Sequence, residues 1–212
     1  IEDKIRREFA AMTVSLDDGV GKVLESLEAN GLDDNTLIIF LTDHGGDPTF
    51  GGSNLPLRGD KATLFEGGLR VPCLMRWPTG IEAGQESDAL LTSLDLFPGF
   101  CQLADIPVPS NWPLDGTTFV PALDSEAEAN HNRKLLWQTG AHAELDRESW
   151  LAYRHGRLKY LNSPADGEFL FDLANDPNEE NDLKEQSPKT FQKMKQAAYQ
   201  WAEELRSSAK AP

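Results

Sequence analysis

One short run constrains this chain more than any other feature: Thr36-Leu37-Ile38-Ile39-Phe40-Leu41-Thr42 is apolar and partly β-branched. The turn-forming Leu32-Asp33-Asp34-Asn35 precedes it, and Asp43-His44-Gly45-Gly46 follows. A continuous apolar run of strand length suits a strand buried on both faces, as in parallel sheets covered by helices. Upstream, Ile5, Phe9, Met12, Leu16, Val20, Val23, Leu24 and Leu27 recur every three or four residues, the stripe of an amphipathic helix. Gly31 stands where a left-handed cap would end that helix. Helix, turn and buried strand together predict an α/β layer with a mainly parallel central sheet.

Val71 to Trp77 is a second strand candidate, punctuated by Pro72 and Pro78. Asp95 is placed to cap a helix whose apolar face is Phe97, Phe100, Cys101 and Ala104, with Pro98 in its first turn and Pro107 and Pro109 beyond its end. The character changes near residue 130. Lys134–Gln138, Trp150–Arg154, Arg157–Leu161 and Glu168–Leu173 read as short strands, with His155-Gly156 placed like a hairpin loop. Ser187-Pro188 opens a last helix, whose Phe191, Met194, Ala198, Trp201 and Leu205 form one face. The expected organisation is therefore a main α/β portion over 1–130 and a subdomain over 131–212, an antiparallel sheet carrying a helix.

Charge narrows the function. A net charge of −15 over 212 residues disfavours nucleic acid, because phosphate recognition needs clustered Lys and Arg. No apolar run approaches the ~20 residues of a membrane span. Cys73 and Cys101 are too far apart for a CxxC motif and are expected to be small buried hydrophobes. From Trp77 to Asn132 there are nine acids and no Lys or Arg, a repelling, solvated face. From Leu41 to Gly80, however, four acids meet four bases, Arg58, Lys61, Arg70 and Arg76, a local balance that favours an anionic substrate there.

Open α/β sheets bind ligands beyond the carboxyl ends of their strands, where Asp43 and His44 fall. A hard oxygen donor, a nitrogen donor and a glycine pair that lets the backbone turn could together hold a cation. The plainer alternative is a loop cap and a satisfied polar residue. Lys61, three residues after Arg58 and before Glu66-Gly67-Gly68, could stabilise charge on a transferring sulfuryl or phosphoryl oxygen, or be a solvated surface lysine. His131, His142 and His155 match no metal spacing and are expected to be exposed or structural.

The strings TLIIFLTDHGG, LPLRGDKATLFEGGLRVPCLMRWP, SLDLFPGFCQLADIPVP, DGTTFVPAL and FLFDLANDPNEENDL, with the helix FAAMTVSLDDGVGKVLESLEANGLDDNTL, resemble the C-terminal half of type I, formylglycine-dependent sulfatases of the alkaline phosphatase superfamily. Several separate motifs occur in the family's order, so the resemblance covers nearly the whole chain. It implies the C-terminal part of an alkaline-phosphatase-like sandwich plus a small antiparallel-sheet-and-helix subdomain. Asp43 matches the aspartate that binds the divalent cation, most often Ca2+, and His44 matches the neighbouring ligand position, Asn in many members. Lys61 matches the lysine of the Arg-Gly-x-Lys segment that contacts the sulfate, with Arg58 in the same segment. Asp60 departs from the family's usual Gly, and His44 offers nitrogen where calcium prefers oxygen.

The nucleophile motif, Cys/Ser-x-Pro/Ala-x-Arg, is matched by neither Cys73 nor Cys101. The resemblance therefore implies a fragment that needs the N-terminal half of the same enzyme, with the formylglycine lying there, and that is inactive alone. Its opening on Ile1-Glu2-Asp3-Lys4-Ile5, as though already inside a helix, agrees with a cut end. For the whole enzyme it implies hydrolysis of a small-molecule or glycan sulfate ester, in a secreted, periplasmic or lysosomal setting. Two alternatives stay open: a phosphonate monoester hydrolase or phosphodiesterase using Mn2+ or Zn2+, which an Asp-His pair suits, and a non-catalytic remnant that binds anionic glycans.

Overall fold

A computed structural model describes residues 1–124, 132–139 and 149–209. The elements run α1 (Lys4–Ala29), β1 (Ile38–Leu41), α2 (Glu66–Leu69), β2 (Cys73–Arg76), α3 (Leu96–Leu103), β3 (Lys134–Gln138), β4 (Leu151–His155), β5 (Leu158–Ser163), β6 (Gly167–Asp172) and α4 (Pro188–Ala209). β1 pairs with β2, and β3-β4-β5-β6 form a four-stranded antiparallel sheet. The chain divides into two compact units: Ile1–Val23 with Phe40–Leu74 and Asn132–Pro212, and Leu24–Ile39 with Met75–His131.

α1 ends as its sequence dictates. Gly31, at φ 65°, donates from N–H to the Glu28 carbonyl, and the Leu32 N–H reaches back to the Leu27 carbonyl, closing a Schellman cap. Its apolar stripe differs from expectation: Ile5, Met12, Leu16 and Val23 are exposed, and no residue of the helix is fully buried. β1 is shorter than the apolar run that predicts it, and none of its residues is fully buried. Among the described residues only β2 pairs with it. Cys73 is exposed rather than buried, because β2 too presents most of its residues outward.

In the first unit the antiparallel sheet is covered on both faces, and strand alternation assigns each side chain to one of them. Leu151, Tyr153, Tyr160 and Leu170 pack with Phe191, Met194, Ala198 and Ala202 of α4. Ala152, Leu161 and Phe171 point the other way and pack with Leu64 and Phe65. The expected helix on a sheet is therefore present, and the segment leading into α2 covers the opposite face. The β4–β5 loop lies one residue later than expected: His155 pairs with Leu158, so Gly156 and Arg157 make the turn. Gly156 has φ 59°, and a first loop position of that kind favours glycine. His155 is thus a strand residue, whereas His131 and His142 lie outside the described residues.

In the second unit Asp95 precedes α3 but does not cap it with its side chain. Its fully buried carboxylate instead accepts from the Thr92 N–H at 2.7 Å and the Thr117 N–H at 2.9 Å, tying two loops together. Phe119, fully buried, lies edge-on to Phe100 of α3 with ring centroids 5.6 Å apart.

Candidate functional site

Asp43 and His44 form the turn that leaves β1. The His44 N–H donates to Asp43 Oδ1 at 3.0 Å, His44 Nε2 lies 3.1 Å from Asp43 Oδ2, and His44 Nδ1 lies 2.9 Å from the Gly45 carbonyl oxygen. A carbonyl can only accept, so the proton of a neutral ring belongs on Nδ1, which leaves the Nε2 lone pair facing the carboxylate. A second proton on the ring, or a cation beside the pair, satisfies this approach. The pair therefore fits as two donors to a cation, and the Asp43 side chain is 83% exposed and reachable. Two donors are short of the six to eight oxygens calcium takes, and no group of three or more potential ligands exists among the described residues.

The loop bearing Lys61 is bound to that turn. The Lys61 N–H donates to the Gly46 carbonyl at 3.2 Å. Asn54 clips the two together more firmly: its Oδ1 accepts from the Gly46 N–H at 2.7 Å, while its Nδ2 donates to the Gly46 carbonyl at 2.9 Å and to the Gly59 carbonyl at 3.2 Å. Nothing in the sequence marks Asn54 beyond its place in a Gly- and Pro-rich loop. The Lys61 side chain is exposed. The Arg58 guanidinium is packed instead, 4.1 Å from the Phe65 ring centroid and 5.1 Å from that of Phe169, and donates to the Glu179 carbonyl at 3.2 Å. An open cavity of about 650 Å³ borders the same loop, lined by Asn54, Arg58, Asp60, Asn178 and Glu180, but not by Asp43, His44 or Lys61.

Both segments rest on α2. The Gly67 N–H donates to the Arg58 carbonyl at 2.7 Å, and the Gly45 N–H donates to the Gly68 carbonyl at 3.0 Å. Beneath α2 lies a buried ionic cluster. Lys159 of β5, fully buried, places Nζ 2.8 Å from Glu66 Oε1 and 2.9 Å from Glu179 Oε1, the latter an ion pair not aligned as a hydrogen bond. Arg154 NH1 lies 3.9 Å from Glu66 Oε2, so two carboxylates face two cations. Burial pushes the Glu179 carboxyl up, against the charge of Lys159. Glu66, Lys159 and Glu179 escape a reading of the sequence, although a Lys amid Leu158, Tyr160 and Leu161 was a usable signal: charge in a two-faced apolar strand needs a partner.

A family model described as Sulfatase matches residues 2–106, and one described as N-sulphoglucosamine sulphohydrolase, C-terminal, matches residues 59–208. Human (Homo sapiens) steryl-sulfatase is 30% identical over 210 residues, spanning 83% of this chain and 36% of its own length. Human (Homo sapiens) N-acetylgalactosamine-6-sulfatase is 41% identical over 122 residues, 56% of this chain and 23% of its own length. The solved structure of Ps i-CgsB, also determined in complex with k-i-k-neocarrahexaose, superimposes with a TM-score of 0.86 at 34% identity, covering 95% of this chain and 44% of that one. The architecture is therefore part of the alkaline-phosphatase-like fold of the sulfatases. Within that fold, the chain belongs to the sulfatase family. It spans about a third or less of the length of the curated relatives named here.

Proposed function

We propose that this chain is part of an enzyme that hydrolyses sulfate esters, with a main portion over 1–130 and a subdomain over 131–212. One observation carries this reading: in a sulfatase-family chain, the Asp43–His44 turn and the Lys61 loop are hydrogen-bonded directly and through Asn54. Asp43 Oδ2 and His44 Nε2 would hold a divalent cation, most simply Ca2+, with further ligands from outside these residues. Such a cation, when bound, supplies Lewis-acid polarisation of the sulfate oxygens. Lys61 would bring its ammonium to negative charge developing toward the leaving oxygen, and Arg58 would add its charge to the same loop. With a cation bound, the Gly45 carbonyl, 2.9 Å from His44 Nδ1, would accept the hydrogen bond from that nitrogen and leave Nε2 as the donor. The nucleophile, a formylglycine in this reading, belongs to another segment of the enzyme.

The test uses the full-length polypeptide carrying this chain, assayed on a sulfate and a phosphate ester of one alcohol, with bound metal measured. Preferential sulfate hydrolysis, abolished by Asp43→Asn together with metal loss, is expected. Faster phosphate or phosphonate ester turnover with bound Mn2+ or Zn2+ would favour the phosphoryl hydrolase alternative. The 212-residue chain alone is expected to show no turnover.

A further inference from the structure

Lys159 contacts none of the proposed site residues, yet a continuous set of contacts leads from it to all of them. Its ammonium joins Glu66, the first residue of α2, to Glu179. Glu179 Oε2 accepts from the Glu66 N–H at 2.6 Å, and the Glu179 carbonyl accepts from Arg58. Glu179 has φ 58°, a left-handed conformation that a non-glycine residue keeps only when its surroundings hold it. From α2 onward every link is backbone to backbone: Gly67 to Arg58, Gly68 to Gly45, and Gly46 to Lys61. These contacts leave no space for adjustment, since a Cβ on Gly67 would lie 2.4 Å from the Gly59 carbonyl oxygen.

The geometry points to Lys159 as a positioning residue: through Glu66 and Glu179 it fixes α2, and α2 fixes both the Asp43–His44 turn and the Arg58–Lys61 loop. The inference rests on the proposed function for what those segments do, but not for how they are held. Stability alone does not require such a cluster, because a buried ion pair seldom outperforms apolar packing of the same volume. What the cluster supplies is direction. An ammonium with two carboxylate partners specifies where the start of α2 sits against β5, which apolar contacts specify only loosely. Without Lys159 two buried carboxylates face each other, and whether one takes up a proton or α2 shifts to hydrate it, the ammonium that ties Glu66 to Glu179 is gone.

The test is Lys159→Met in the full-length polypeptide. Amide hydrogen exchange across 44–69 is expected to accelerate at least tenfold, with exchange across 191–202 in α4 unchanged. Hydrolysis of 4-nitrophenyl sulfate is expected to lose at least tenfold in kcat/KM, and to lose less when Lys61→Ala is already present, since the share carried by the Lys61 loop is then gone while the share carried by the Asp43–His44 turn remains. Unaltered exchange across 44–69, equal acceleration in α4, or equal fold-losses in the two backgrounds overturns the inference. Should Lys159→Met not fold, Glu179→Gln, which keeps an acceptor for the Glu66 N–H, is held to the same criteria. A wild-type enzyme that turns over no sulfate ester sinks the functional proposal alone; the exchange criterion still decides the role of Lys159.

Discussion

The carbonyl oxygen of Gly67 occupies the space a side chain on Gly45 would need: a Cβ there would lie 1.7 Å from it. The turn carrying Asp43 and His44 comes this close to α2 only because residue 45 lacks a side chain. Gly45→Ala must therefore separate them, breaking the Gly45–Gly68 hydrogen bond. A loss of about 3 kcal/mol is expected from overpacking, read from urea unfolding. An unchanged midpoint would show that the turn relaxes freely and that its spacing to α2 is not set by this contact.

Lys61 and Arg58 share a loop but should respond differently to truncation. Lys61 is exposed, so Lys61→Ala should leave stability within ~0.5 kcal/mol while lowering turnover of the full-length enzyme by ~10²–10³. Arg58 stacks on Phe65, so Arg58→Ala should cost about 1–2 kcal/mol of stability. Equal stability losses for the two variants would refute this division.

Acid should weaken the α4 face of the sheet. Burial pushes the Glu168 carboxyl up, but hydrogen bonds from Lys195 and Tyr160 and the charges of Lys195 and Lys184 outweigh it and hold the group below the usual carboxylate range. A depressed folded-state value contributes stability above the ordinary carboxylate pKa, and that stability is lost as pH falls through the lowered one. Glu168→Gln should be less stable than the parent at neutral pH, and the gap should close in acid. Denaturation curves between pH 7 and 3 check this; a gap that is constant with pH contradicts it.

In the second unit, Phe119 fills the space above Gly99, where an added Cβ would come within 2.2 Å of the Phe119 ring. Phe119→Ala should cost about 3–5 kcal/mol, the range for emptying a large buried site. Gly99→Ala should destabilise as well, and in the Phe119→Ala background its cost should largely disappear. Additive losses in denaturant titrations would mean that the two residues do not share the space.

Local patterns carried most of the elements. The three-and-four spacing of α1 with Gly31, Ser187-Pro188 at the head of α4, and the aromatic runs of β3 to β6 are each determined by neighbours in sequence, through hydrogen bonds and turn conformations within a few residues. Asp43, His44 and Lys61 were also legible, since their candidacy rests on residue type, strand-end position and resemblance. Burial was not: the stripe of α1, the apolar run of β1 and Cys73 read as core and are not fully buried, because burial depends on what covers a face.

The sequence by itself determined which residues could bind a cation or an anion. Only the tertiary structure decided that Asn54 joins the two candidate segments, that Arg58 is stacked while Lys61 is exposed, and that Lys159 and Glu179 meet Glu66 from 93 and 113 residues further along the chain. The physical reason is range. Helix caps and turns are closed by partners a few positions away, whereas a buried charge is satisfied by whichever opposite charge the packing of α2 against β5 brings to it, and no local pattern records that meeting.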